Sequence, residues 1–358
     1  MEHTTTCGSQ LLPGERICNA TRYSALTYFR RGSTDKPLVV FLPGGGHLAR
    51  IAYGHPDLRA DDFLDHWLAQ EGFGLVAISY PSDHPVYDRL YPAMTLADWA
   101  KVAAGITKQV IDENGLGPNV LLLGWSMAGY IVRRFNEAAI AEGLEVGAFF
   151  SLAATPPLFL NTDIEASFRL SPEGLRETRG PSQWIDLAIA EQTAINGRPV
   201  FDHARYESMF RVNHPLNING GQKRWQDGQI VIDVAAAVED LGNFDYQFYP
   251  ITACLVPQSA NDIRHAFTDA ANWNFLNVQS VLRRWVPPEV QADPKKLATL
   301  WRHLSSVSDH LQKLTTSIPG GHLFFTGEIG ARATARAIAP LLTQIQRLRA
   351  GLDAAARL

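Results

Sequence analysis

Asn119-Val-Leu-Leu-Leu-Gly124-Trp-Ser126-Met-Ala128-Gly129 is the stretch that decides how this chain is read. An apolar run of strand length ends at Gly124, and a helical pattern covers Met127 to Gly143. A serine at such a junction sits on a sharp turn, with its hydroxyl pushed out at the carboxyl edge of a sheet. The residues two before and two after it must be small, because strand and helix backbones nearly touch there. Gly124 and Ala128 meet that need. The helix N-terminus behind Ser126 adds a positive dipole and the free amide of Met127. The bare pattern G-x-S-x-[GA] is weak, and its place between strand and helix is what gives it meaning. The bland alternative is an N-cap serine on a buried helix.

Working outward, the same beat repeats. Ala25–Phe29 reads as a strand paired with the segment around Ile17–Tyr23, and Pro37–Leu42 as a short strand buried on both faces. A helix over Asp61–Glu71 stops at Gly72, and Phe73–Tyr80 is the next strand. Thr95 caps a helix to about Asn114, with Leu96, Trp99, Val102, Ala103, Ile106 and Val110 on one stripe. Val146–Leu152 is a further strand. This alternation predicts a mostly parallel sheet flanked by helices. The rhythm breaks over 156–250, a block of loops, helical stretches and aromatics. It resumes at Ile251–Val256, with helices over Trp273–Trp285 and Lys295–Lys313, a last strand at Leu314–Ile318 and a closing helix over Gly330–Arg349. The expected domains are a core of 1–155 and 251–358 and a cap of 156–250 inserted into it.

Three loops carry chemistry that matches the serine. Pro43-Gly44-Gly45-Gly46-His47 follows a central strand. Its glycines let backbone amides turn toward a ligand. An acyl-transfer serine needs two donors aimed at the developing oxyanion, one from Met127 and one from Gly45 or Gly46. A phosphate loop is disfavoured, since His47-Leu48 stands where Gly-Lys-[Ser/Thr] is required. Gly320-Gly321-His322 follows the last strand, and imidazole is the natural base for a hydroxyl near neutral pH. Asp262 follows the strand at 251–256 and is the expected acid, with Asp163 and Asp309 as rivals. Trp125 and His47, beside the nucleophile, are expected to meet substrate.

Composition excludes other classes. The 358 residues carry 32 basic and 36 acidic side chains, for a formal charge of −4 and no basic stripe, so nucleic acid is not an expected partner. Cys7, Cys18 and Cys254 are odd in number, widely spaced and without CxxC, which excludes a disulfide scaffold and a Cys-based zinc site. No HExxH or paired-His helix motif suggests a metallohydrolase, and no metal is expected. The first nine residues lack the basic and apolar regions of a signal peptide, and no apolar run approaches about 20 residues. The expectation is a soluble, cytoplasmic mixed α/β protein acting on a small molecule, with a homodimer left open.

The glycine loop, the Gly-Trp-Ser-Met-Ala elbow, the Asp262 loop and the Gly-Gly-His322 loop fall in the order Ser, Asp, His. Together they resemble the α/β-hydrolase superfamily with a largely helical cap, over about residues 20–155 and 251–345. The resemblance implies an eight-stranded sheet, a Ser126–His322–Asp262 triad and acyl-enzyme chemistry without a cofactor. Ala128 replaces the usual second glycine, and the stretch from Asp262 to His322 is longer than typical, which suggests extra helices near the site. The implied reaction is cleavage of a carboxylic ester or thioester of an apolar or aromatic molecule. Acyl transfer, cyanohydrin-lyase-type chemistry and a non-catalytic binding module remain open. Epoxide and haloalkane hydrolysis are disfavoured, because relatives doing that chemistry carry Asp where Ser126 stands.

Overall fold

The computed structural model describes residues 11–158, 168–286 and 288–355. The opening segment, Cys7 and the rival acid Asp163 lie outside the described residues. β1 (Glu15–Ala20) and β2 (Tyr23–Arg30) form an antiparallel hairpin. β3 (Leu38–Leu42), α1 (Arg50–Tyr53), α2 (Leu64–Gln70) and β4 (Leu75–Ser79) follow. α3 (Leu96–Asn114) opens on a Thr95–Asp98 capping box and stops at left-handed Gly115. β5 (Asn119–Trp125), α4 (Val132–Ala141) and β6 (Glu145–Leu152) come next.

The block that breaks the rhythm holds β7 (Leu175–Arg176), α5 (Gln183–Asn196), α6 (His203–Phe210), β8 (His214–Pro215), β9 (Lys223–Gln226), β10 (Gln229–Ile232) and α7 (Val234–Leu241). β7 pairs with β8 and β9 with β10, two small sheets among the helices of the block, and among the described residues no strand of it joins the main sheet. Asp240 of α7 ties it down by accepting from the amides of Leu96 and Ala97 at the start of α3, and from Arg224 at 2.8 Å. The chain ends with β11 (Thr252–Gln258), α8 (Ile263–Trp285), α9 (Pro288–Gln291), α10 (Pro294–Gln312), β12 (Thr315–Pro319) and α11 (Glu328–Ala355). α8 begins ten residues before the expected start at Trp273. Residues 263–272 contain no glycine or proline to interrupt the helix, and His265 bonds Asp269 one turn on.

Eight strands form one sheet in the order β1-β2-β4-β3-β5-β6-β11-β12, the number the resemblance implied. Only β2 runs against its neighbours, and the pairs from β4 to β12 are parallel. The sheet separates two cores. Val40, Leu42, Val120 and Leu122 pack on one face with α3 and α4, while Val39, Phe41, Leu121 and Leu123 pack on the other with α2 and α11. This is why the central strands read as unbroken apolar runs rather than alternating ones. The order reverses between β3 and β5, since β4 lies to one side of β3 and β6 to the other side of β5. Such a switch point opens a crevice at the carboxyl ends of its two strands, where open α/β sheets bind ligands. Among the described residues no helix is long and apolar enough to cross a membrane.

Candidate active site

The crevice is occupied by the loops the sequence singled out. β3 delivers Gly44–His47 and β5 delivers Ser126. Ser126 takes φ +53°, a left-handed conformation rare for a residue with a side chain. The turn into a short 3₁₀ segment, Ser126–Ile131, is therefore sharp, and the regular helix begins only at Val132 rather than at Met127. Small residues are needed around it for a concrete reason. A Cβ on Gly124 would lie 2.9 Å from the Phe149 ring and 3.3 Å from Cβ of Ala128. A Cβ on Gly129 would lie 2.0 Å from the Thr155 carbonyl oxygen.

β11 and β12 deliver the other two groups. His322 Nδ1 donates to Oδ2 of Asp262 at 2.8 Å, and both side chains are buried. With Nδ1 protonated, the neutral ring leaves Nε2 as its acceptor. Burial pulls the His322 pKa below the ordinary imidazole value, and the Asp262 hydrogen bond and charge oppose that fall. Trp125 Nε1 donates to the His322 carbonyl at 3.0 Å and fixes the loop that carries the imidazole. Trp184 of α5 stands edge-on to the same imidazole, 5.0 Å between ring centres.

Ser126, Asp262 and His322 line one cavity of about 540 Å³, together with Gly45, His47, Trp125 and Met127. That volume suits a small-molecule ligand. Gly46 stands behind this wall: its φ is +72°, its carbonyl accepts from the Val212 amide at 3.0 Å, and a Cβ on it would lie 2.4 Å from Thr178 Oγ1. Gly44 is held by Tyr80, whose hydroxyl donates to its carbonyl at 2.8 Å and accepts the His47 amide at 2.9 Å. Asp309 lies exposed on α10. A second cavity, of about 470 Å³, lies at the amino ends of β3, β5 and β6, away from these groups.

Trp125 and His47, expected to meet substrate, have their polar atoms committed within the fold. They are 1% and 2% exposed. His47 Nδ1 donates to the Gly45 carbonyl at 2.8 Å, and Nε2 accepts from the Tyr206 hydroxyl at 2.6 Å. Burial, with the Arg211 charge adding to it, holds His47 neutral well below the ordinary pKa, as this bonding requires. The two rings form wall and brace.

The sequence reading missed a second acid–imidazole pair. His265 Nδ1 lies 2.9 and 3.1 Å from the two Asp269 oxygens, and the His265 ring is 5.0 Å from that of His322. The i, i+4 spacing on one helix was the available signal. Donor atoms of Asp262, His265 and His322 all lie within 4.8 Å of one another, the one group among the described residues with the spacing of a metal site. Asp262 and His322 already satisfy each other there. Also missed were the cations that reach the cavity, Arg176, Arg211, Lys223 and Arg264, which lie in stretches without periodicity or motif.

Strand order, switch-point placement and the strained strand-to-helix serine are those of the α/β-hydrolase fold. No family model matches the chain, and no curated protein matches it. Among solved structures it is similar to a serine hydrolase involved in carbazole degradation, at 13% identity over 92% of this chain and 98% of that one, with a TM-score of 0.45. It is similar to a thermophilic esterase from Thermogutta terrifontis at 12% identity, with the same coverage and a TM-score of 0.45. A thioesterase domain from the curacin biosynthetic pathway is similar at 12% identity over 92% and 98% of the two chains, with a TM-score of 0.42.

Proposed function

We propose that this protein is a serine hydrolase that cleaves a carboxylic ester or thioester of a small apolar or aromatic molecule through an acyl-enzyme. The observation that carries this reading is the pairing of Asp262 with His322 in the cavity that also holds the strained Ser126. Asp262 fixes the tautomer, so Nε2 of His322 takes the Ser126 proton as Oγ attacks the carbonyl carbon. The tetrahedral oxyanion rests on the amides of Met127 and Gly45, both in the cavity wall, while Gly46 shapes the turn behind them. His322 then protonates the leaving group, and water activated by the same imidazole releases the acid. Residues 156–250 act as the cap, with Trp184, Phe168 and Leu216 of that block supplying apolar surface to the cavity. Acyl transfer needs the same residues and differs only in the nucleophile that accepts the acyl group.

The test is mass-spectrometric labelling with a fluorophosphonate on wild type, Ser126→Ala and His322→Ala. A single adduct on Ser126 that depends on His322 is expected. A folded wild-type protein that takes no adduct overturns the reading.

A further inference from the structure

The glycine loop after β3 is held by side chains from elsewhere in the fold. Gly44, Gly45 and Gly46 have no Cβ, so the peptides between them turn over at little cost unless something pins them. The loop passes over the nucleophile: a Cβ on Gly44 would lie 2.9 Å from Ser126 Cβ, and one on Gly45 would lie 3.3 Å from Met127 Sδ. Two clamps act on it. The first is Tyr80, just past β4, whose hydroxyl donates to the Gly44 carbonyl at 2.8 Å and accepts the His47 amide at 2.9 Å. In a trans peptide the N–H points opposite to the C=O, so anchoring the Gly44 carbonyl aims the Gly45 amide away from Tyr80. The second is His47, whose Nδ1 pins the next peptide through the Gly45 carbonyl at 2.8 Å.

The second clamp depends on the 156–250 block. Tyr206 of α6 is fully buried, and its hydroxyl lies 2.6 Å from His47 Nε2. Burial raises the Tyr206 pKa and lowers that of His47, so the phenol keeps its proton and the imidazole is neutral. The hydroxyl donates to Nε2, which leaves the ring proton on Nδ1, where it meets the Gly45 carbonyl. Backbone bonds stitch the same block to the loop. The Leu48 amide donates to the Phe210 carbonyl at 2.8 Å, and the Val212 amide to the Gly46 carbonyl at 3.0 Å.

We propose that Tyr80 and Tyr206 are positioning residues for the oxyanion hole: Tyr80 aims the Gly45 amide, and Tyr206 sets the His47 tautomer that locks the following peptide. This rests on the hydrolase reading and deepens it. It gives the 156–250 block a part in forming the hole as well as in covering the cavity. Tyr206 fixes the Nδ1–H tautomer of His47 by donating to Nε2, as Asp262 fixes that of His322 by accepting from Nδ1.

The test compares wild type with Tyr206→Phe, Tyr80→Phe and Tyr28→Phe. The last removes a hydroxyl bonded to Asp65 at 2.8 Å, away from the cavity. Turnover of para-nitrophenyl acetate is read together with inhibition by benzyl trifluoromethyl ketone. Ser126 Oγ adds to the ketone carbon, its proton passes to His322, and the ketone oxygen becomes the anion that the hole must hold. Tyr206→Phe and Tyr80→Phe are each expected to lose about tenfold or more in kcat, toward the roughly 10²–10³ lost with a whole oxyanion donor, with KM within about twofold. Ketone affinity is expected to fall by a similar factor. The acid limb of kcat/KM, which reports His322, is expected to stay in place. Tyr28→Phe is expected to match wild type. Wild-type kcat and ketone affinity in Tyr206→Phe and Tyr80→Phe overturn the proposal and leave the hydrolase reading standing. An equal loss in Tyr28→Phe also overturns it, because a general loss of stability would then explain the effect. A wild type that takes neither fluorophosphonate nor ketone removes the hydrolase reading and this proposal with it.

Discussion

The Nδ1 proton of His322 is held by Oδ2 of Asp262 at 2.8 Å, across 60 residues of chain and from the ends of two adjacent strands. A carboxylate so placed sets the tautomer and balances the imidazolium that forms during proton transfer. Asp262→Asn is therefore expected to lower kcat for an activated ester by about 10⁴ with little change in thermal stability. Asp309→Asn, on the exposed face of α10, is expected to match wild type. Steady-state kinetics on both variants decides it: near-normal turnover by Asp262→Asn removes Asp262 from the mechanism.

The same pair sets the pH profile. Burial lowers the His322 pKa, so the neutral base persists below the ordinary value of about 6.5. The acid limb of kcat/KM is expected below pH 6.5, with a plateau by pH 7. Asp262 opposes the fall, so its removal is expected to shift the limb further toward acid while lowering the plateau. A limb above pH 7 in wild type would contradict this.

Stability follows from other imidazoles. His214 is held down to about pKa 3 and His47 well below its usual value, both chiefly by burial. The unfolded chain takes up these protons below about pH 6.5 and the folded one does not. Stability is thus fullest above pH 6.5 and falls as the pH drops toward 3, by up to about 1.4 kcal/mol per pH unit for each group. Urea unfolding at pH 7, 6 and 5 measures the slope, and a flat profile counts against neutral buried imidazoles.

What the sequence disclosed follows from where backbone rules are strict. The central strands and the Gly124–Gly129 elbow were legible because buried parallel strands need apolar runs and a tight strand-to-helix turn tolerates only small residues. The loops that carry His322 and Asp262 stood out because residues at the carboxyl ends of such a sheet's strands face its crevice, and the structure pairs the two side chains there. The pairs β7–β8 and β9–β10 were not legible, since strands of two to four residues carry no readable period. The committed state of His47 and Trp125 was also hidden. Their partners, Tyr206 and the His322 carbonyl, are 159 and 197 residues away in the chain. Pattern alone cannot place such contacts.

The elbow offers a steric test. Gly129 has an ordinary negative-φ backbone, so what it supplies is space, its missing Cβ facing the Thr155 carbonyl. The Thr155 amide in turn donates to the Ser126 carbonyl at 2.8 Å. Gly129→Ala must push Thr155 away and drag the serine turn with it. The expected cost is about 1–3 kcal/mol of stability, as for overpacking, with slower fluorophosphonate labelling. Wild-type labelling at wild-type stability would show that the turn is not held from this side.

The second pair, His265 with Asp269, makes the sharpest stability prediction. Both side chains are buried, and burial pushes the Asp269 carboxyl above its usual pKa while the His265 hydrogen bond pulls it back. Removing the imidazole leaves a buried carboxyl with its main partner gone. His265→Leu is expected to cost about 3 kcal/mol or more, whereas His265→Leu with Asp269→Leu, which removes both polar groups, costs less than the single change. A double-mutant cycle by urea unfolding reads the coupling directly. Because the His265 ring lies 5.0 Å from that of His322, the doubly apolar variant also tests the reach of the pair into the site. If it keeps the wild-type pH profile, the pair serves the fold of α8 alone. If its acid limb moves, the pair tunes the base. Additive single changes would mean that the two residues do not depend on each other.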